Sequence, residues 1–176
     1  FLQGTRAEDG TLEAEYDYVD RVKILSPGQD IYKAVGYRLP TSAEHEYVLK
    51  TGSTSKELNR FDVGIGVLSK HAWFRENSGG TTHPVAELNP LILGGKDFYD
   101  MQGNVAEWRN DRYGRDSTGE FIGGKDPQGP KTGTERVVGG ACWFTTITGV
   151  YPVYQIHYEP GHRDRNTGFR LVRTLK

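Results

Sequence analysis

The residues best able to do chemistry are one cysteine, five histidines and a pair of carboxylates around a glycine turn. Cys142 stands alone, so the chain can form neither an internal disulfide nor a cysteine metal cluster. Its place beside Trp143 reads as that of a buried, inert thiol. His71 and His83 have no partner at H-x-x-x-H or H-E-x-x-H spacing and read as loop hydrogen-bonders. No G-x-S-x-G turn presents a serine, and nucleophilic catalysis needs such a group with a histidine in reach. Asp100 and Glu107 flank Gly103-Asn104, which sets hard oxygen ligands around a turn whose carbonyls can complete a cation's shell.

Such groups need a scaffold, and composition bounds it. The 176 residues suit one domain. Hydrophobic content is 35%, and 23 Gly with 8 Pro predict much loop. Three Trp, ten Tyr and seven Phe offset this, since each aromatic ring buries a large area. A net charge of −1 with no basic block excludes an electrostatic nucleic-acid binder. No apolar run reaches membrane-spanning length, so direct membrane insertion is not expected.

Residues 1–35 read as a polar arm or an incomplete start, with helix-compatible spacing from Leu12 to Tyr18. Thr41 and Glu44 form a T-x-x-E capping box behind Pro40, predicting a helix from Ser42 to Lys50 that ends at Gly52 in the left-handed region. Strand-like pieces are expected near Val63–Leu68 and Ala72–Phe74. Asn77 to Val85 is a cluster of turn-formers. Arg136 to Trp143 reads as a β-branched strand running into glycines. At the end, Phe169 and Leu171 alternate with Arg170 and Val172 as in a half-buried strand.

Four blocks, YRLPTSAEHEY (37–47), ENSGGTTHPV (76–85), FYDMQGNVAEW (98–108) and RVVGGACW…PGHR…GFRLV (136–172), together resemble the formylglycine-generating-enzyme (sulfatase-modifying-factor) family over about residues 36–173. The resemblance implies an α+β, C-type-lectin-like fold of the formylglycine-generating-enzyme type: a small twisted antiparallel sheet, few short helices and much ordered loop, spanning 36–176. It implies a structural calcium held by the Asp100 side chain, the carbonyls of Met101, Gly103 and Val105, and the Glu107 carboxylate. Ala106 stands where the family usually carries Trp, and His45 where it usually carries an aromatic, packed at the helix edge. Trp108 and Trp143 are expected in the core.

The family's aerobic enzymes bind copper(I) through two cysteines, a pairing natural to soft thiolates. The alignment places those positions at Thr145 and Val150, with Cys142 at a serine position. No copper is therefore expected, and the enzymatic reading weakens.

Residues 144–166 mix Thr, Tyr, His, Asp, Arg and Asn without α or β period. Aromatic and adaptable polar side chains on a rigid base suit recognition. This region also resembles the diversified segment of variable proteins of diversity-generating retroelements. The candidate ligand-binding residues are Phe144, Thr145, Thr146, Thr148, Tyr154, Ile156, His157, Tyr158, His162, Asp164, Arg165 and Asn166. The leading expectation is a non-enzymatic, receptor-type domain for a protein or other macromolecular partner, at the cell surface or outside the cell. The alternatives are a divergent or inactive maturation factor of the same family and a cell-envelope assembly component.

Overall fold

The structure is a computed structural model that describes residues 31–33, 36–52, 64–114 and 125–173. Its regular elements are short. They are β1 (Tyr37–Arg38), α1 (Ser42–Thr51), α2 (Ile65–Leu68), β2 (Leu91–Leu93), β3 (Lys96–Phe98), β4 (Ala106–Arg112), β5 (Arg136–Gly139), β6 (Gln155–Tyr158), β7 (Thr167–Gly168) and β8 (Val172–Arg173). The helix-compatible stretch from Leu12 to Tyr18 lies outside the described residues.

The capping box forms as its spacing predicts. The Thr41 hydroxyl accepts the Glu44 N–H at 3.1 Å, and the Glu44 carboxylate accepts the Thr41 N–H at 2.9 Å. Arg38 adds two hydrogen bonds to the same carboxylate at 2.7 Å each, which locks β1 to the start of α1. The helix buries His45 and Leu49, one turn apart on one face. His45 is thus inside the core rather than at the helix edge, because so lean a chain has few apolar side chains to fill that face. Gly52 ends α1, but in extended geometry (φ −61°, ψ 163°) and not in the left-handed region. Its role is close approach: a Cβ there would lie 2.9 Å from the Val48 carbonyl and 3.0 Å from Leu91 Cβ.

The strand expected near Val63–Leu68 is instead helical over Ile65–Leu68. Backbone bonds from Val67 and Leu68 to the Gly64 carbonyl close the turn, and no ladder partner competes among the described residues. The turn drives Leu68 into full burial. Near Ala72–Phe74 only Trp73 pairs, in one bridge to Gly103.

A four-stranded sheet in the order β6-β5-β4-β7 forms the base. β4 and β5 run antiparallel with Glu107 opposite Gly139, and β5 and β6 antiparallel with Val138 opposite Ile156. The sheet is mixed and not purely antiparallel: β4 and β7 are parallel, with Glu107 opposite Gly168. One cluster of buried residues gathers Leu49, Leu68, Phe74, Leu91, Met101 and Val150. A second joins Leu39, Ala106, Trp108, Val138 and Cys142. The expected burial of Trp108, Trp143 and Cys142 is observed.

The terminal stretch alternates in burial as expected, but Phe169–Leu171 lie outside any strand, between β7 and β8. Phe169 and Leu171 are exposed, while Arg170 and Val172 turn inward. The charged side chain faces in because its partners lie there. No helix among the described residues is long and apolar enough to cross a membrane.

Candidate binding face

The chain leaves β5 through Gly140 (φ 96°) and Ala141 (φ 60°), a left-handed bend that swings Cys142 and Trp143 across the end of the sheet. Asn104, itself left-handed at φ 59°, pins this bend. Its carbonyl accepts the Trp143 N–H at 2.9 Å and its own N–H reaches the Trp73 carbonyl at 2.8 Å. Its side chain bonds the His83 backbone twice, at 3.0 Å each. His83 then stacks on Trp73 at 3.7 Å and bonds the Ser78 carbonyl. His71 meets the Asn89 carbonyl, so both histidines brace loops as the sequence suggests.

The loop beyond is held by its backbone. The Ser78 hydroxyl donates to the Trp143 carbonyl at 2.8 Å, and Arg75 donates through Nε to the Phe144 carbonyl at 2.8 Å and through its N–H to that of Thr145 at 2.9 Å. The Glu76 carboxylate accepts the Ile147 N–H. Because main chain carries these restraints, side chains are left to vary. Phe144 is 42% exposed and edges against Trp143, whose ring carries the Arg165 guanidinium 5.1 Å from its centroid. Thr146 and Thr148 share a hydroxyl contact nearby.

The second limb of the loop carries a relay of ring and carboxylate. Tyr158 stacks on His162 at 3.7 Å, His162 meets Asp164 at 3.1 Å, and Asp164 accepts the Asn166 N–H at 2.9 Å. Against the cost of burial, bonds from Thr167 and His162 hold the Asp164 carboxyl below its usual range. The twelve candidate residues do not form one face. Tyr154 packs on the first core cluster, and Ile156 and Tyr158 on the second. His157, one residue out of phase on β6, points to the other side and stacks on Tyr113 beside Glu135. Phe144, Tyr154, Tyr158 and His162 are therefore not buried together.

The two positions aligned with the copper thiolates are differently placed. Val150 is in the core at 2% exposure. Thr145 lies beside Cys142, with 3.3 Å between hydroxyl and thiol. A hydroxyl and an aliphatic chain give no second soft ligand, so these residues do not fit copper.

The calcium set fares similarly. Glu107 is opposite Gly139 on β5 and Gly168 on β7, and its carboxylate is nearly buried. Two guanidiniums engage it. Arg170 binds both carboxylate oxygens at 2.6 Å, and Arg109 binds Oε2 at 3.1 Å. The Asp100 carboxylate points elsewhere and accepts the Ala86 N–H at 2.8 Å. The Met101 carbonyl is engaged by His45, whose pKa is driven well below the usual value by burial and then by Arg109 and Arg170. Among the described residues no group of three or more His, Cys, Asp or Glu side chains converges for a metal. As arranged, the expected ligands do not fit calcium. The role of Arg170 is not apparent from spacing; Arg109, two residues beyond Glu107, has the spacing that puts two charges on one face of a strand.

The model of the sulfatase-modifying factor enzyme 1-like domain matches residues 11–175. The chain belongs to this FGE-sulfatase family. This family member has the formylglycine-generating-enzyme type of C-type-lectin-like fold, and it is similar to solved structures of that type. One is Treponema denticola variable protein 1, at 33% identity and a TM-score of 0.65, with 83% of this chain and 52% of that one covered. Another is PvdO from Pseudomonas aeruginosa, at 28% identity and a TM-score of 0.60, covering 79% and 53%. The domain is also 34% identical over 148 residues to a serine/threonine-protein kinase pkn1 of Chlamydia caviae, covering 81% of this chain but 22% of the kinase. A formylglycine-generating enzyme of Thermomonospora curvata is 31% identical over 122 residues, covering 62% and 39%. The domain thus spans about half or less of the length of these relatives.

Proposed function

We propose that this domain is a non-enzymatic binding module that presents residues 144–166 to a protein or other macromolecular partner at the cell surface or outside the cell. The observation that carries this reading is the division of labour in that loop. Bonds from Asn104, Ser78 and Arg75 to main-chain atoms of residues 143–145 fix the start of its path, while Phe144, Thr148 and Arg165 extend from it without holding the fold together. A rigid base with replaceable side chains is what a recognition surface needs. Within the loop, Phe144 and Arg165 on Trp143 supply a cationic and aromatic contact area, and Thr146, Thr148 and His162 supply hydrogen-bonding groups.

Similarity to a variable protein supports the finer reading that a retroelement diversifies this face. The test lies in the surrounding DNA. A near-copy of the segment encoding residues 144–170, differing at adenines and lying beside a reverse-transcriptase gene, is expected. Absence of both the near-copy and the reverse-transcriptase gene overturns the diversification reading.

The competing reading is a maturation enzyme, favoured by similarity to a formylglycine-generating enzyme. Thr145 and Val150 weigh against it, since a two-thiolate copper site has no ligands there.

A further inference from the structure

We infer that the guanidinium of Arg170 serves as the structural cation of this domain, bound by the Glu107 carboxylate that the family resemblance assigns to calcium. Five acceptors converge on it: both Glu107 oxygens at 2.6 Å, the Asp100 carbonyl at 2.6 Å, the Tyr99 carbonyl at 3.1 Å and the Met101 sulfur at 3.0 Å. Carboxylate and carbonyl oxygens gathered around one positive centre are the surroundings a bound cation has. Here the centre is planar and covalently attached to the chain, and its fork matches the carboxylate with two parallel bonds.

The charges point the same way. One carboxylate, Glu107, faces two guanidiniums, Arg170 and Arg109. A divalent ion added there would meet two like charges and find both carboxylate oxygens already bonded. Arg170 also performs the mechanical task expected of the metal. It ties the C-terminal segment to the 99–107 loop across 63 to 71 residues of sequence. The inference is independent of what the 144–166 face binds.

The test compares thermal unfolding of the wild type and of Arg170→Ala in EDTA and in millimolar calcium chloride. The wild type is expected to melt at the same temperature in both, and to bind no calcium in equilibrium dialysis. Arg170→Ala is expected to melt at least about 5 °C lower, and calcium is expected to restore part of the loss by entering the vacated oxygen set. Stoichiometric calcium binding by the wild type with a raised midpoint overturns the inference, and this measurement does not depend on the variant folding. A variant that melts like the wild type, or one that is destabilised but indifferent to calcium, also overturns it.

Discussion

The Sγ of Cys142 lies 3.3 Å from the Oγ1 of Thr145, and the same hydroxyl accepts the Cys142 N–H at 3.1 Å. The thiol is therefore packed into a tight turn, 5% exposed, facing a hydroxyl. A buried thiol facing a hydroxyl has no second soft ligand there with which to share a metal.

Copper chemistry should accordingly be absent. Competition with a copper(I) chelator is expected to leave all metal with the chelator, and a cysteine-containing sulfatase peptide is expected to gain no aldehyde. Stoichiometric copper retention together with aldehyde formation would restore the enzymatic reading.

Asn104 is the pin between three loops, and its two functions can be separated. Asn104→Ala removes both bonds to His83 and places Cβ-bearing alanine in the left-handed region, for an expected loss of about 3 kcal/mol. Asn104→Gly loses the same bonds but tolerates φ 59°, so it is expected to be about 1 kcal/mol more stable than the alanine variant. Denaturant unfolding reads both. Equal stability would mean that backbone strain plays no part.

Asp111 gives the fold a defined pH response. Burial, opposed by the Ser42 N–H, pushes its carboxyl from 3.8 up to about 6. The folded pKa lies above the unfolded one, so the folded chain holds the proton more tightly. Its contribution to stability is intact below pH about 4 and falls as pH rises through about 6, by about 3 kcal/mol in total. Asp111→Asn keeps an acceptor for Ser42 and removes the titration. The stability of this variant relative to wild type should therefore increase by most of that amount between pH 4 and pH 7. A flat difference would contradict the assignment.

The sequence made the local features readable and left the tertiary ones hidden. Thr41 and Glu44 are three residues apart, so their capping box needs nothing from the rest of the chain. The burial of Trp143 and Cys142 follows from a strand running into glycines. A glycine after a helix signals a left-handed cap, whereas Gly52 here admits Leu91, a contact 39 positions away. The Val63–Leu68 run was misread because apolar alternation does not reveal whether a ladder partner exists. Phe169 and Arg170 show the limit most clearly. Their alternation fixes a period, but only Glu107, 63 residues earlier, decides that the arginine faces in. The candidate face was legible as a region, but not its division: β6 sends His157 to one side and Ile156 with Tyr158 to the other.

Substitutions on the face should spare the fold. Thr148→Ala and Arg165→Ala are each expected to change stability by no more than about 0.5 kcal/mol, whereas Phe74→Ala in the core should cost about 3–5 kcal/mol. Thermal or denaturant unfolding of the set measures the contrast. Comparable losses at surface and core would mean that the loop's side chains hold the domain together.

Position-by-position variation of this locus in its source population tests the binding-face account most directly. Amino-acid differences are expected to concentrate at Phe144, Thr146, Thr148, His162 and Arg165, with fewer at Thr145 and Asp164, which accept backbone N–H groups, and at the packed Tyr154, Ile156 and Tyr158, and almost none at Asn104, Trp143 and Gly168–Arg170. Variation spread evenly along the chain, or absent from 144–166, would contradict it.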